Sequence, residues 1–233
     1  MAGRSVECAA DRASQTKTYV VEEYMKPALI MALLLSMTTF TPSITAQGAR
    51  IASPAGVAST EIRGKYKSGV DEPEYEGGKW IEVTYGRPIK RGRDLWGSGA
   101  DYGKVLNAGA PVWRAGANVT TRLKTELPLV IGGKTIAPGE YSLFIDLKPG
   151  NWTFIVSSWP AQTNYDPRNT SALWGSFGYT PAKDVARAPM ALGTLPLAID
   201  QLTWAFADMS DAGGKLTIMW DKMIASVPFT VAR

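Results

Sequence analysis

The sequence predicts an all-β protein, built as a single antiparallel β-sandwich (jelly-roll-like) or a flattened barrel. Three observations favour this fold class. Short segments alternate apolar and polar residues, which is the period of a strand with one buried face. Clusters of Gly, Pro, Asn and Asp separate these segments. No segment carries a convincing amphipathic helical pattern, so the strand–helix alternation of doubly wound and TIM-type folds is missing.

The first half of the predicted domain contains four alternating segments. Residues 80–85 (WIEVTY) place Ile81, Val83 and Tyr85 on one face, as expected of a half-buried strand. The other three segments are 119–124, 141–147 and 152–157. Turn residues lie between them at 132–133, 138–139 and 149–151. We also expect a short helical turn around residues 101–106.

The second half continues the same pattern. Alternating segments occur at 202–207, 216–220 and 224–231, with turn residues at 211–214 and 221–222. Many short strands at regular spacing are typical of a single sandwich or barrel.

An apolar run near the N-terminus indicates the compartment. Residues 28–41 (ALIMALLLSMTTFT) are uncharged, Lys26 precedes them, and small residues lead up to Ala46. This order is typical of a secretory signal peptide, and we predict cleavage after Ala46. The run is shorter than the ~20 apolar residues that a spanning helix needs, which disfavours a permanent anchor. We expect an exported protein, periplasmic or extracellular, with no stable transmembrane anchor after cleavage.

The start of translation and the domain bounds follow from the same region. Met25 is a better start than Met1, because the acidic residues between them are atypical of the basic beginning of a signal peptide. Residues 1–46 are then an N-terminal extension and signal peptide. Residues 47–78, rich in Ala, Gly and Ser with an acidic stretch at 71–76, are predicted to be a flexible linker. Residues 79–233 are predicted to form the β domain.

Composition excludes several kinds of active site. The 233 residues include no His and one Cys, and Cys8 precedes the predicted cleavage site. Without His there is no Ser-His-Asp triad and no imidazole base, and without further Cys there is no disulfide or Cys-based metal site. The formal net charge of +4 is too small a bias to indicate nucleic acid. We therefore expect no cofactor, no metal, no nucleic-acid partner and no catalytic residue.

The eight tryptophans have two interpretations. Those on alternating segments are predicted to lie in the core, because large apolar side chains are usually buried. This group is Trp80, Trp152, Trp204 and Trp220. Those beside turns are the better candidates for exposed rings that stack on sugars or flat ligands. This second group is Trp96, Trp113, Trp159 and Trp174.

An ordered set of motifs carries a family resemblance. It comprises YGRP at 85–88 with Lys90 and Gly92-Arg93, WRAGAN at 113–118 with two Thr, and PGEYSLF at 138–144. This order resembles the uncharacterised, apparently exported bacterial family known as domain of unknown function 2911. The likeness covers about residues 80–231, and extra residues at 107–111 depart from the pattern before Trp113. The resemblance implies export and a single domain, and it implies no activity.

The same motifs supply a candidate ligand-binding surface. Arg offers charge-assisted hydrogen bonds, Trp and Tyr offer stacking, and Asn fixes orientation. The candidate residues are Arg87, Arg93, Tyr102, Trp113, Arg114 and Asn118. A structural role is the alternative, in which Arg87 or Arg114 binds backbone carbonyls and Asn118 caps a turn. The first functional hypothesis is a non-catalytic module that binds a glycan, an envelope component or a protein partner.

Two other functions stay open. A glycan hydrolase needs only two carboxylates across a cleft. The candidates for that role are Asp94, Asp101, Glu140 and Asp146. The other alternative is a structural module of an envelope assembly.

Overall fold

The computed structural model describes residues 50–69, 71–72 and 74–232. The predicted signal peptide, Met1, Met25 and Cys8 lie outside the described residues. Within the described part of the chain, no helix is long and apolar enough to cross a membrane.

Twelve strands account for about half of the described chain. Their bounds are β1 (Ala55–Ile62), β2 (Lys65–Tyr66), β3 (Tyr75–Glu76), β4 (Lys79–Gly86), β5 (Thr121–Thr125), β6 (Leu129–Ile131), β7 (Lys134–Ile136), β8 (Gly139–Asp146), β9 (Thr153–Ser157), β10 (Asp184–Pro189), β11 (Ala191–Ser210) and β12 (Gly213–Val231). Helical structure comprises the 3₁₀ turns Gly99–Asp101 and Pro181–Lys183 and the short helix α1 (Lys104–Asn107). The helical turn predicted around residues 101–106 is therefore confirmed.

The strands form two antiparallel sheets and one small ribbon. The larger sheet has the order β1-β4-β5-β8-β9-β10, the second has the order β11-β12-β6-β7, and β2 pairs with β3. Each sheet keeps two edges, so the described strands form a sandwich-like fold rather than a closed barrel. The predicted all-β antiparallel fold class is confirmed.

The main core lies between the two sheets. The alternation predicted from the sequence buries Ile81, Val83 and Tyr85 of β4, and Leu216 and Ile218 of β12 face the same core. Because alternate side chains of a strand point to opposite faces, each sheet presents one apolar face to the other.

Strand β1 corrects the prediction that residues 47–78 form a linker. Residues 55–62 pair along their whole length with β4, from Ala55↔Gly86 to Ile62↔Lys79. Their alternation was missed because the inward positions carry small side chains. At Gly56, a Cβ would lie 2.2 Å from Cδ of Arg87 and 3.1 Å from the Tyr85 ring, so the packing leaves no space for a larger residue.

Strand β12 corrects a second prediction. A turn was expected at residues 221–222, but β12 continues from Gly213 to Val231. Asp221 has a left-handed φ of 53°, and the pairing with β11 shifts register there. The Asp-Lys pair therefore lies opposite a bulge of β11, where extra residues stand between Thr194 and Ile199, and β12 itself continues past it.

A second, smaller core lies on the outer face of the larger sheet. Phe144 of β8 and Ile155 of β9 point away from the main core and pack with Val112, Leu173 and Tyr179. Two of these come from the segment 159–180, which we call the aromatic loop. This loop therefore lies on the sheet as a packed layer.

Candidate functional site

A cluster of four tryptophans fills one end of the main core. Trp113 stacks on Trp220 at 6.2 Å between ring centroids, and Trp96 lies 4.9 Å from Trp152. Trp113 is only 1% exposed, so its predicted place on a ligand-binding surface is wrong. The segment before β5 runs beside β8, where Trp113 and Ile145 exchange backbone hydrogen bonds of 2.9 Å, and this pairing turns the ring inward.

Two other predicted site residues border this cluster. Tyr102 accepts a hydrogen bond of 2.9 Å from the indole nitrogen of Trp152. Arg93 lies over the ring of Trp220, with Cζ 5.9 Å from the centroid, and donates to the backbone carbonyls of Lys90 and Ile89. Their contacts close the tryptophan cluster and hold the turn after β4.

The remaining three predicted residues form a second group. Arg87 donates to the carbonyl of Leu202 at 3.4 Å. Asn118, with a left-handed φ of 61°, donates to the carbonyl of Ser53 at 3.4 Å. Arg114 donates to the carbonyl of Asn118 at 2.7 Å. The structure thus divides the six predicted residues between two places, and the backbone-binding contacts that the structural alternative expected are present in both.

Arg114 differs from the other candidates because it also contacts the aromatic loop. Its Cζ lies 5.3 Å from the ring centroid of Phe177. A Cβ on Gly175 would lie 2.5 Å from the guanidinium carbon, so the glycine leaves the space in which Arg114 reaches the loop. Burial lowers the pKa of Arg114, because desolvation disfavours its charged form.

Three aromatic side chains of the loop surround adjoining cavities. Tyr165 is 64% exposed and Phe177 is 48% exposed, while Trp174 is half-buried. The Tyr165 and Trp174 rings are 5.7 Å apart and inclined at 56°. One cavity of about 450 Å³ is lined by these three residues, and a neighbour of about 360 Å³ adds Asn169 and Thr170. Apolar walls with a polar side are typical of ligand sites.

Gln162 fixes the shape of this loop from within. Its side-chain nitrogen lies within hydrogen-bond distance of the carbonyls of Asp166, Asn169 and Ala172, at 3.2, 2.9 and 2.9 Å. Its side-chain oxygen accepts a bond of 2.8 Å from the backbone N–H of Asp166. One buried amide therefore provides hydrogen-bond partners for backbone groups over ten residues of the loop. Backbone groups that are shielded from water need such partners.

A hydrogen-bonded triad holds the far end of the loop. The Tyr179 hydroxyl donates to Oδ2 of Asp184 at 2.7 Å, and Arg187 donates to the same oxygen at 2.7 Å. Burial first, and then the bond to the Asp184 carboxylate, raise the pKa of Tyr179 well above its ordinary value. Arg187 also approaches Asp146 of β8 at 3.7 Å, so the triad joins the loop to two strands.

The four carboxylates considered for hydrolysis are each bound by groups of the protein itself. Asp94 accepts backbone N–H bonds from Trp96 and Gly97. Asp101 pairs with Lys104, whose hydrogen bond and charge lower the pKa of that carboxyl. Glu140 pairs with Arg122, and Asp146 pairs with Lys148. In the part of the chain that the structure describes, no three His, Cys, Asp or Glu side chains converge on a metal position.

The tryptophan predictions have a mixed outcome. Trp152, Trp204 and Trp220 are buried as predicted, but Trp80 is 48% exposed on the outer face of β4. Trp174 lines the cavities as its position beside turns suggested, whereas Tyr165 and Phe177 were missed. A signal was present: residues 159–180 hold five aromatics among turn residues and show no strand alternation.

Comparison with known proteins gives one match. A family model described as protein of unknown function (DUF2911) matches residues 70–229. This range contains the three motifs from which the resemblance was predicted, and the prediction is confirmed. No curated protein and no solved structure matches significantly.

Proposed function

We propose that this chain, which belongs to the family described as protein of unknown function (DUF2911), is a non-catalytic module that binds a glycan. The proposal is based on the geometry of the aromatic loop. The bound sugars would lie against Tyr165, Trp174 and Phe177. The observation that carries this proposal is that three partly exposed aromatic side chains surround adjoining cavities on a loop whose backbone is fixed.

The chemistry of the cavity matches that of a sugar ring. A pyranose has an apolar C–H face and a rim of hydroxyl groups. An aromatic face takes the apolar side out of water, which is favourable in proportion to the area buried. Asn169 and Thr170 line the polar side of the smaller cavity and offer hydrogen-bonding groups to the rim.

The fixed loop favours binding further. Ordering a loop upon binding costs conformational free energy, and a loop that is already ordered avoids that cost. Gln162 within the loop, and Thr120 beneath it through the carbonyls of Leu173 and Gly175, supply this order. The rings therefore stand in place before the ligand arrives.

We place this activity outside the cytoplasm, in the periplasm or beyond the cell. The support is the apolar run at 28–41 with its basic start and small residues before Ala46. An exported protein meets envelope and extracellular polysaccharides, which are the ligands that this surface suits.

The test is a glycan array probed with three proteins. These are the wild type, the double variant Tyr165→Ala/Trp174→Ala, and the control Trp80→Ala, which removes an exposed aromatic ring of β4, outside the aromatic loop. We expect the wild type and the control to bind the same glycans and the double variant to lose them.

Two results would overturn the proposal. One is a wild type that binds no glycan on the array, particularly if a pull-down from envelope extract yields a protein that also binds the double variant. The other is a double variant that folds and retains every glycan of the wild type. If the wild type releases reducing sugar from a glycan, the claim that the module is non-catalytic is wrong, and the glycan hydrolase alternative is favoured.

A further inference from the structure

The charges around the aromatic loop do not balance. Asp166, the carboxylate that lines the smaller cavity, is bound by its neighbour Arg168 through the backbone N–H at 3.0 Å and Nε at 3.4 Å. Arg114 has no carboxylate within 4 Å among the residues that the structure describes. This cation, which contacts the loop at Phe177, is therefore available to pair with an anionic group of a ligand.

The guanidinium of Arg114 also keeps unused donors. Among the residues that the structure describes, its one hydrogen-bond acceptor is the carbonyl of Asn118, 2.7 Å from Nη1. A guanidinium presents five N–H groups in a planar fork that matches a carboxylate with two parallel hydrogen bonds. The unused side of this fork can take an anion.

The position of Arg114 places that fork beside the sugar site. Cζ is 5.3 Å from the centre of the Phe177 ring, and Phe177 lines both cavities. Arg114 itself lines neither cavity, so a carboxylate on the fork would belong to a sugar adjacent to the one that lies on the aromatic faces.

An anionic ligand would also offset the desolvation cost of the Arg114 charge. Desolvation already disfavours the charged form of Arg114, as the lowered pKa indicates. An unpaired charge in a partly dry place is costly, and a charge-assisted hydrogen bond offsets that cost. A neutral sugar offers the guanidinium no charge.

We propose that the ligand is an acidic glycan, and that Arg114 is the residue that selects it by binding a uronic acid carboxylate. This proposal rests on the proposed function and specifies the ligand class of the same site.

The test changes the ligand as well as the protein. Calorimetric titrations compare oligogalacturonate, its methyl ester, in which the carboxylate is masked, and a neutral cello-oligosaccharide of the same length. The proteins are the wild type, Arg114→Gln, Arg114→Lys and the control Lys183→Gln, which removes an equal charge beside the loop, over Trp159, a ring that lines neither cavity.

We expect oligogalacturonate to bind at least about tenfold more tightly than its methyl ester, as a charge-assisted hydrogen bond predicts. Arg114→Gln should abolish this preference, Arg114→Lys should retain part of it because the charge remains, and Lys183→Gln should leave it in place. The methyl ester probes the contact without altering the loop, so the test holds even if an Arg114 variant folds poorly.

Equal binding of the acid and its ester, or tighter binding of the neutral oligosaccharide, would overturn this inference while leaving the glycan-binding function intact. An equal loss of preference in Lys183→Gln would also overturn it, since the effect would then be one of long-range charge. If wild-type protein binds none of the three probes or any glycan of the array, the proposed function itself fails.

Discussion

Thr120 and Gly175 are joined by a hydrogen bond that ties the aromatic loop to the larger sheet. The Thr120 hydroxyl lies 2.8 Å from the carbonyl oxygen of Gly175 and 3.0 Å from that of Leu173, on either side of Trp174. Thr120 is fully buried just before β5. The ring of Trp174 is therefore held by a residue that lies beneath the loop and does not line the cavities.

This relationship predicts that Thr120→Val weakens glycan binding without touching the glycan. Valine has nearly the shape of threonine but cannot donate, so two buried carbonyls lose this donor. We expect a loss of about 1–3 kcal/mol in the free energy of unfolding, the cost of an unsatisfied buried group. Denaturant titration measures that loss, and calorimetry measures the weaker binding.

The matched control is Thr125→Val. Thr125 is also buried, and its hydroxyl donates to the carbonyl of Leu127, away from the loop. This variant should lose comparable stability and bind glycan like the wild type. Equal binding by both variants would show that Thr120 has no influence on the site.

The amide of Gln162 gives a prediction with a pH dependence. In Gln162→Glu, a carboxylate oxygen would face the carbonyls of Asp166, Asn169 and Ala172 in place of the N–H donor. Burial among carbonyls raises the pKa of such a carboxyl in the folded state, so the variant loses stability as pH rises above ~4.3, the unfolded value. We therefore expect the variant to be closer to the wild type in stability at pH 4 than at pH 7.

Limited proteolysis at the two pH values provides a local measurement for this variant. Cleavage within residues 163–171 should be faster than in the wild type at pH 7, and the difference should shrink at pH 4. A protection pattern that does not change with pH would contradict the role given to the amide.

The sequence was sufficient for the fold class because strands with large alternating side chains dominate both sheets. It failed where the alternation is carried by small residues, as in β1 with Gly56 and Ala58, and where Asp221 resembles a turn residue but lies opposite a bulge of β11. For the candidate site, a position beside turns indicated Trp174 and motif order indicated Arg114. Their proximity to Phe177 and Tyr165 depends on how a 22-residue loop folds onto the sheet, which local patterns do not specify.

The Tyr179–Asp184 bond predicts an alkaline loss of stability. Since the pKa of Tyr179 is raised in the folded state, its contribution is complete below the unfolded value of ~10 and decreases as pH rises above it. Tyr179→Phe removes that contribution, which is about 1.5–3 kcal/mol for a hydrogen bond to a charged group. Denaturant titrations from pH 7 to pH 11 should show the gap between wild type and variant narrowing above pH 10. A gap that is constant or grows would contradict this assignment.

The proposed export gives a prediction about the mature chain. N-terminal sequencing of the protein from the periplasmic or extracellular fraction should begin at Gln47, and its mass should include no cysteine, because Cys8 precedes the cleavage site. A protein that retains residues before Gln47 and stays in the cytoplasmic fraction would contradict this prediction.

The most direct test of the central claim is the dissociation constant of Trp174→Ala for the glycan that binds the wild type best, measured by calorimetry beside Trp80→Ala. If sugars stack on the aromatic loop, truncation of Trp174 should weaken binding at least about tenfold, as expected for a central aromatic contact. Trp80→Ala should match the wild type. A folded Trp174→Ala protein that binds as tightly as the wild type would contradict the account.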